Sequence, residues 1–314
     1  MPDWLIERGI GESRAVRIVD GEIAEARILL DGIERARTRL TARLKATRPR
    51  AIAEAEGQEY LLPKGAPGVP EGAELVIEVT REAIPGTEPW KRPLARVTAE
   101  AAGAEPTIDA EVIPFPTADG QLAKSGWDDV IDEARSGMVR FAGGELRISP
   151  TPAMSLIDVD GYLPPRELAL SGATAAARAI LRLDIGGSIG VDLPTVAGKS
   201  DRQAIGEAID AILPQPFERT AVNGFGFVQI VRPRLRASLV ELAQDRASFE
   251  ARALLRQIAL GSPGPKCLVA HPAVIQLLEN KPQWLDQLAR QIGGIVGLRA
   301  DPALPISAGH AENR

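Results

Sequence analysis

One cysteine, two histidines and no apolar run of membrane-spanning length mark this 314-residue chain, and each shortage removes a class of function. With Cys267 alone, a disulfide within the chain and a cysteine-built zinc cage are both excluded. Cys267 stands in the apolar stretch Lys266-Cys-Leu-Val-Ala270, where a free buried thiol is the expectation rather than a nucleophile. His271 and His310 lie far in sequence from the acidic stretches described below, which argues against a two-histidine nuclease and against a serine–histidine triad. The opening Met1-Pro-Asp-Trp-Leu-Ile lacks the basic and then apolar pattern of a secretory leader, so a cytoplasmic protein with no membrane span is expected.

What is there is ordinary globular usage, 45% hydrophobic and 25% charged, with length for two or three domains. The net charge of −5 argues mildly against a nucleic-acid partner, but the charges are segregated. Residues 34–50 carry Arg35, Arg37, Arg39, Arg43, Lys45, Arg48 and Arg50 against Glu34, and the next stretch reverses sign with Glu54, Glu56, Glu59, Glu71, Glu74, Glu78, Glu82 and Glu88. Arg35, Arg37 and Arg39 alternate, so in an extended strand they share one face and can follow a phosphate backbone. A solvated edge strand that uses cations against aggregation has the same pattern.

The most informative stretches are Ser155-Leu-Ile-Asp-Val-Asp160 and Gly186-Gly-Ser-Ile-Gly-Val-Asp-Leu193. Each reads as a buried strand that ends in a carboxylate, and the Ala-rich run from Pro164 to Leu183 between them reads as a helix. Asp158 and Asp192 are 34 positions apart (192 − 158). A right-handed parallel crossover of that length brings both to one sheet edge. Two carboxylates in a half-dry cleft repel each other, and a divalent cation relieves them; a Mg²⁺ site is therefore expected. The bland alternative for both residues is turn capping at a strand end. Gly198-Lys-Ser200 is not a nucleotide loop, because the earlier glycine of that motif falls on Leu193. Ser200-Asp-Arg-Gln203 reads as a capping box opening a helix with Ile205, Ile209 and Ile212 on one face.

These stretches, with their order and spacing, resemble the catalytic domain of the ribonuclease E/G family. Gly143-Gly-Glu-Leu-Arg-Ile-Ser through Asp160 follows the family's glycine-rich strand and Ile-Asp-Val-Asn strand, with Asp160 in place of the Asn. Leu181-Arg-Leu-Asp-Ile-Gly-Gly187, Phe225-Gly-Phe-Val-Gln-Ile-Val-Arg-Pro-Arg-Leu235 and Gly11-Glu-Ser-Arg-Ala-Val-Arg-Ile-Val-Asp-Gly21 are similar to further family segments. The resemblance implies a Mg²⁺-dependent endoribonuclease acting on single-stranded RNA. Asp158 and Asp192 would bind the ion, Asp160 would ligate or orient it, and Arg219 would hold a phosphate beside them as a catalytic residue. Lys91, Lys199 and the strip of Arg35, Arg37 and Arg39 would hold the RNA. The alternative is a non-catalytic RNA-binding or ribosome-associated protein on the same fold.

The resemblance also fixes a domain map of mixed α+β and α/β character. Residues 1–33 are expected as a hairpin joining the catalytic sheet, with Asp20-Gly21 as its turn, and 34–98 as a small five-stranded oligonucleotide-binding (OB-like) barrel. Residues 99–126 are expected as a linker, 127–260 as the metal-dependent catalytic domain, and 261–314 as a small α/β domain with a loose tail from 301. One long helix is expected over 238–260. Departures from the family are clear. The barrel aromatics are missing near Ala53 and Leu61, leaving Tyr60 and Trp90 as substitutes, and the loss of base stacking weakens RNA capture. The segment that would sense a 5′-monophosphate is deleted. The cysteine zinc link is absent, so no zinc-linked tetramer is expected and a homodimer stays open.

Overall fold

The computed structural model describes residues 4–86, 91–103, 108–117 and 120–313. The chain opens with β1 (Trp4–Arg8), β2 (Glu12–Val19) and β3 (Glu22–Leu30). Asp20 and Gly21, at φ 53° and 86°, form the tight turn between β2 and β3. Next come β4 (Arg39–Ala46), β5 (Ala51–Ala55), β6 (Gln58–Leu62), β7 (Glu74–Arg81) and β8 (Leu94–Val97), which close into a barrel in the order β4-β5-β6-β8-β7. Its interior is filled by Leu44, Ala53, Tyr60, Leu62, Ile77 and Val79.

After β9 (Ala110–Ile113), the helices α1 (Gln121–Lys124) and α2 (Trp127–Ser136) lead into the central sheet. That sheet contains β10 (Met138–Phe141), β11 (Gly144–Pro150), β12 (Ser155–Gly161), β13 (Gly187–Asp192), β14 (Glu218–Arg219) and β15 (Phe227–Arg232), ordered β10-β11-β12-β13-β15-β14. Helix α3 (Pro165–Arg182) joins β12 to β13, and α4 (Lys199–Asp210) follows β13. The chain ends with α5 (Leu239–Leu242), α6 (Arg246–Ala259), β16 (Lys266–Ala270), α7 (Pro272–Glu279), α8 (Pro282–Ile292), β17 (Val296–Ala300) and β18 (His310–Asn313). No helix among the described residues is long and apolar enough to cross a membrane.

Helix α3 is the organising element. Its Ala-rich sequence has high helix propensity and starts with Pro165 in the first turn, where a missing N–H costs nothing. Buried Ala169, Ala173, Ala176 and Ala177 are small enough to let the helix press against its neighbours. It packs on β10, β11 and β12 on one side and on β3 on another.

Several expectations are corrected. The 12–33 hairpin forms but does not join the central sheet; it belongs to its own sheet, β3-β2-β1-β9, separated from the central one by α3. The physical reason is that α3 packs against both sheets, and Ile23, Ala26 and Ile28 turn the hairpin's apolar face onto that shared core, so the two sheets meet across the helix rather than edge to edge. Residues 99–126 are not a plain linker, since β9 pairs parallel with β1 and α1 follows. The helix over 238–260 is two helices: Ser238 and Glu241 form a capping box that starts α5, and the chain restarts at Arg246 after Asp245. The box expected at Ser200 does not form, because the helix begins earlier with Gly198 as its uncapped start. The tail is ordered at its end, where β18 pairs antiparallel with β16.

Buried ion pairs fasten these parts together. Arg252 on α6 reaches Glu12 at 2.8 Å and Arg256 reaches Glu7 at 3.1 Å, while Arg14 bonds both acids at 2.7 Å. The barrel is tethered through Glu82, which meets Arg236 at 3.3 Å and Arg35 at 3.6 Å, and Arg236 continues to Asp184 at 3.1 Å. Burial raises the Glu82 and Asp184 carboxyls, and the arginines pull them back.

Candidate functional site

Strands β12 and β13 are parallel neighbours, and their register sets Asp158 directly opposite Asp192. Adjacent strands lie about 4.8 Å apart, so the two carboxylates share one step of the sheet. Alternation then decides which face they occupy. Ile157, Val159, Ile189 and Val191 point into the core, and Asp158, Asp160 and Asp192 lie on the exposed face. One rung runs across five strands as Met138, Arg147, Asp158, Asp192 and Phe227. Gly190, two residues before Asp192 on the same strand face and opposite Leu156, makes room beside this rung: a Cβ there would stand 2.6 Å from the Phe227 ring and 3.0 Å from Leu156.

The electrostatics combine burial with like charge that is only partly offset. The Asp158 carboxyl is raised above the ordinary aspartate value, by desolvation first and then by Asp160 and Asp192, with Arg147 acting the other way. Arg147 is itself held by Glu145 at 2.9 Å. Helices α3 and α4 both begin just after these strand ends, neither with a side-chain cap, and Arg166 on α3 reaches Asp201 on α4 at 2.8 Å. Their amino ends therefore add partial positive charge at the same edge.

The chemistry of this donor set fits a hard divalent ion. Mg²⁺ takes one or two carboxylates and keeps its remaining positions for water and substrate oxygens, which is what Asp158 and Asp192 offer. Asp160 stands two residues further along β12, opposite Glu145. Among the described residues no three His, Cys, Asp or Glu side chains gather as an ion-holding group, so the pair rather than a trio is the unit.

The remaining expected residues are dispersed. Arg219 on the edge strand β14 pairs with Ile230, a core-facing position, and reaches Asp210 on α4 at 2.5 and 2.7 Å. It therefore lies on the helix-covered face, away from the Asp158 side. Lys199 is the exposed first residue of α4 at the carboxylate edge.

The three arginines of the barrel strip do not share a strand face. Arg35 precedes the strand and is drawn to Glu82, Arg37 is in a turn at φ 77°, and only Arg39 lies in β4, where it pairs with Glu100. Further along, Lys45 meets Glu54 at 2.5 Å and Glu59 at 3.2 Å, Arg92 meets Glu59 at 2.8 Å, and Arg96 meets Glu78 at 2.8 Å. Lys91 is half-buried in the segment before β8.

Tyr60 is no stacking platform: it is 1% exposed inside the barrel, and burial pushes its phenol up to about 12. Trp90 lies outside the described residues. In the family-like segment 225–235 the arginines serve the fold, Arg232 donating to the Ile185 carbonyl at 3.1 Å and Arg234 pairing with the Glu241 carboxylate.

Two exposed aromatics lie just beyond the strand ends here: Tyr162, 84% exposed after β12, which sequence reasoning passed over, and Phe225, 83% exposed before β15, which it placed only in a family-like segment. The available signal was the position of each aromatic, just beyond a strand end at the acidic edge, in a chain only 4% aromatic. Set against known protein families and curated proteins, the chain matches no family model and no curated relative.

Proposed function

We propose that the protein is a Mg²⁺-dependent endoribonuclease for single-stranded RNA, similar to a minimal member of the ribonuclease E/G family. The observation that carries this reading is the register of Asp158 opposite Asp192 on an exposed sheet face. Asp158 and Asp192 would hold the ion, with Asp160 two residues further along β12 to ligate or orient it. Bound Mg²⁺ supplies an activated water and offsets the charge that develops on the scissile phosphate. Arg147, on the same rung, is placed to exchange its bond with Glu145 for a substrate phosphate. Lys199 meets the backbone at the carboxylate edge. By the resemblance, the products carry 5′-phosphate and 3′-hydroxyl ends.

The barrel strand order supports reading residues 34–98 as OB-like, since an antiparallel meander of three strands closes through a parallel β6–β8 contact. The second reading, an RNA-binding protein without turnover, draws on what the sequence lacks relative to the ribonuclease E/G family: the 5′-end sensor, the cysteine zinc link and the barrel aromatics. Incubating a short single-stranded RNA with the protein and Mg²⁺, then with chelator, separates the two. Chelator-sensitive cleavage supports the enzyme, and binding without cleavage supports the alternative. Isothermal titration of Mg²⁺ into the unaltered protein and into Asp192→Asn tests the ion site without reference to activity.

A further inference from the structure

Beside Asp160 the β11–β12 hairpin borders a cleft of about 470 Å³, walled by Arg140, Phe141, Glu145 and Tyr162. We propose that this cleft is a subsite for one nucleotide of a single strand, with its base stacked on the Tyr162 ring and its phosphate at Arg140. The inference rests on the ribonuclease reading of Asp158 and Asp192 and adds to it the group that positions the RNA.

Four observations converge. The Tyr162 ring is 84% exposed, and an aromatic ring left in water is a surface that a ligand's π-face can cover. Gly144 and Gly161 line the cleft where the strands come close: a Cβ on Gly161 would come 2.3 Å from the Gly143 carbonyl, and one on Gly144 would come 2.2 Å from the Asp160 carbonyl. Glycine at both positions leaves the cleft wall without side chains there. Arg140 is exposed, makes no ion pair among the described residues, and lies opposite Glu145, which is engaged by Arg147. Finally, Asp160 is two residues along the same strand face as Asp158, about 7 Å from it, so the cleft adjoins the carboxylate pair. The volume lies within the range of small-ligand pockets, and stacking requires an unpaired base.

The test uses the full chain and a fluorescein-labelled RNA octamer, with binding followed by anisotropy in the Asp192→Asn background so that no cleavage intervenes. Tyr162→Ala is expected to weaken binding about tenfold and Tyr162→Phe less than twofold. An octamer with one abasic position is expected to bind about tenfold more weakly to protein with Tyr162 and no more weakly to the Tyr162→Ala form. Arg140→Gln should reduce the slope of log affinity against log salt by about one. In the otherwise unaltered enzyme, Tyr162→Ala should raise KM about tenfold with kcat held within threefold. Unchanged binding by Tyr162→Ala, or an abasic penalty that persists in it, overturns the subsite while leaving the ribonuclease reading intact. RNA that is neither bound nor cut by the unaltered protein overturns both.

Discussion

The acidic edge of the central sheet and the basic strand of the barrel are both dense in charge, and they resolve it in opposite ways. On β4 each cation has an answering acid: Arg39 stands opposite Glu78 in the ladder and pairs with Glu100, Arg43 stands opposite Glu74 and Glu54, and Lys45 meets Glu54 and Glu59. The Lys45 ammonium is raised and the Glu59 carboxyl lowered by this pairing, as cross-strand opposite charges require. On β12 and β13 the like charges face one another, and Asp158 is raised by its neighbours after burial has raised it first. Complementary charge is what a fold needs for itself. Like charge only partly offset at a strand end is the feature on which the proposed ion site rests.

Removing one carboxylate should have the largest effect. Asp192→Asn is expected to abolish Mg²⁺-dependent cleavage, by at least about a thousandfold, or roughly 4 kcal/mol in transition-state terms. The same variant should melt, without metal, at the native temperature or above it, because a repulsion has been removed. It should also lose any rise in melting temperature that Mg²⁺ gives the native protein. A variant that cuts at the native rate under limiting Mg²⁺ would place the ion elsewhere.

Burial separates the pairs that matter for folding from those that do not. Arg252 is 4% exposed and its partner Glu12 is equally enclosed, so Arg252→Ala is expected to cost about 3 kcal/mol in urea unfolding. Arg39→Ala, at the exposed barrel pair, should cost less than about 1 kcal/mol. Comparable losses at the two sites would erase the distinction.

The barrel strip supplies a smaller test. Replacing Arg35, Arg37 and Arg39 by Gln should flatten the salt dependence of RNA binding by about one unit of slope, the share of Arg37, because the other two already answer Glu82 and Glu100. A change near three would show that RNA displaces those partners.

Titration contrasts the two kinds of aspartate directly. Asp210 is lowered by its hydrogen bonds with Arg219, whereas Asp158 is raised. The Asp158 contribution to stability is present below the ordinary value of 3.8 and is lost as pH rises through its folded value. The Asp210 contribution is present above 3.8 and is lost as pH falls through its folded value. Carboxyl-carbon NMR should find the two on opposite sides of 3.8, and Asp192→Asn should move Asp158 down and leave Asp210 unmoved.

The smallest effect is expected at the RNA end. Octamers with 5′-hydroxyl, 5′-monophosphate and 5′-triphosphate should be cut within about twofold of one another, since the regular elements among the described residues of 99–126 are β9 and the four-residue α1. A tenfold preference for the monophosphate, about 1.4 kcal/mol, would reveal a sensing pocket elsewhere.

Local rules carried a good part of this architecture. Alternation of apolar and acidic residues located β12 and β13, the Ala-rich run located α3, and the Asp20-Gly21 turn located the first hairpin, because each depends on neighbours in sequence. The small α/β unit over 266–300 was legible for the same reason. The juxtaposition of Asp158 with Asp192 was also legible, since a βαβ crossover has only one common hand. What the sequence could not decide was pairing at a distance. Whether Arg39 meets RNA or Glu100, whether Arg219 faces Asp192 or Asp210, and whether Tyr60 points into the barrel or out of it all depend on the register of strands far apart in the chain. A shift of one residue in that register exchanges the two faces of a strand. Only the closed tertiary structure fixes it, by burying one face of every strand at once.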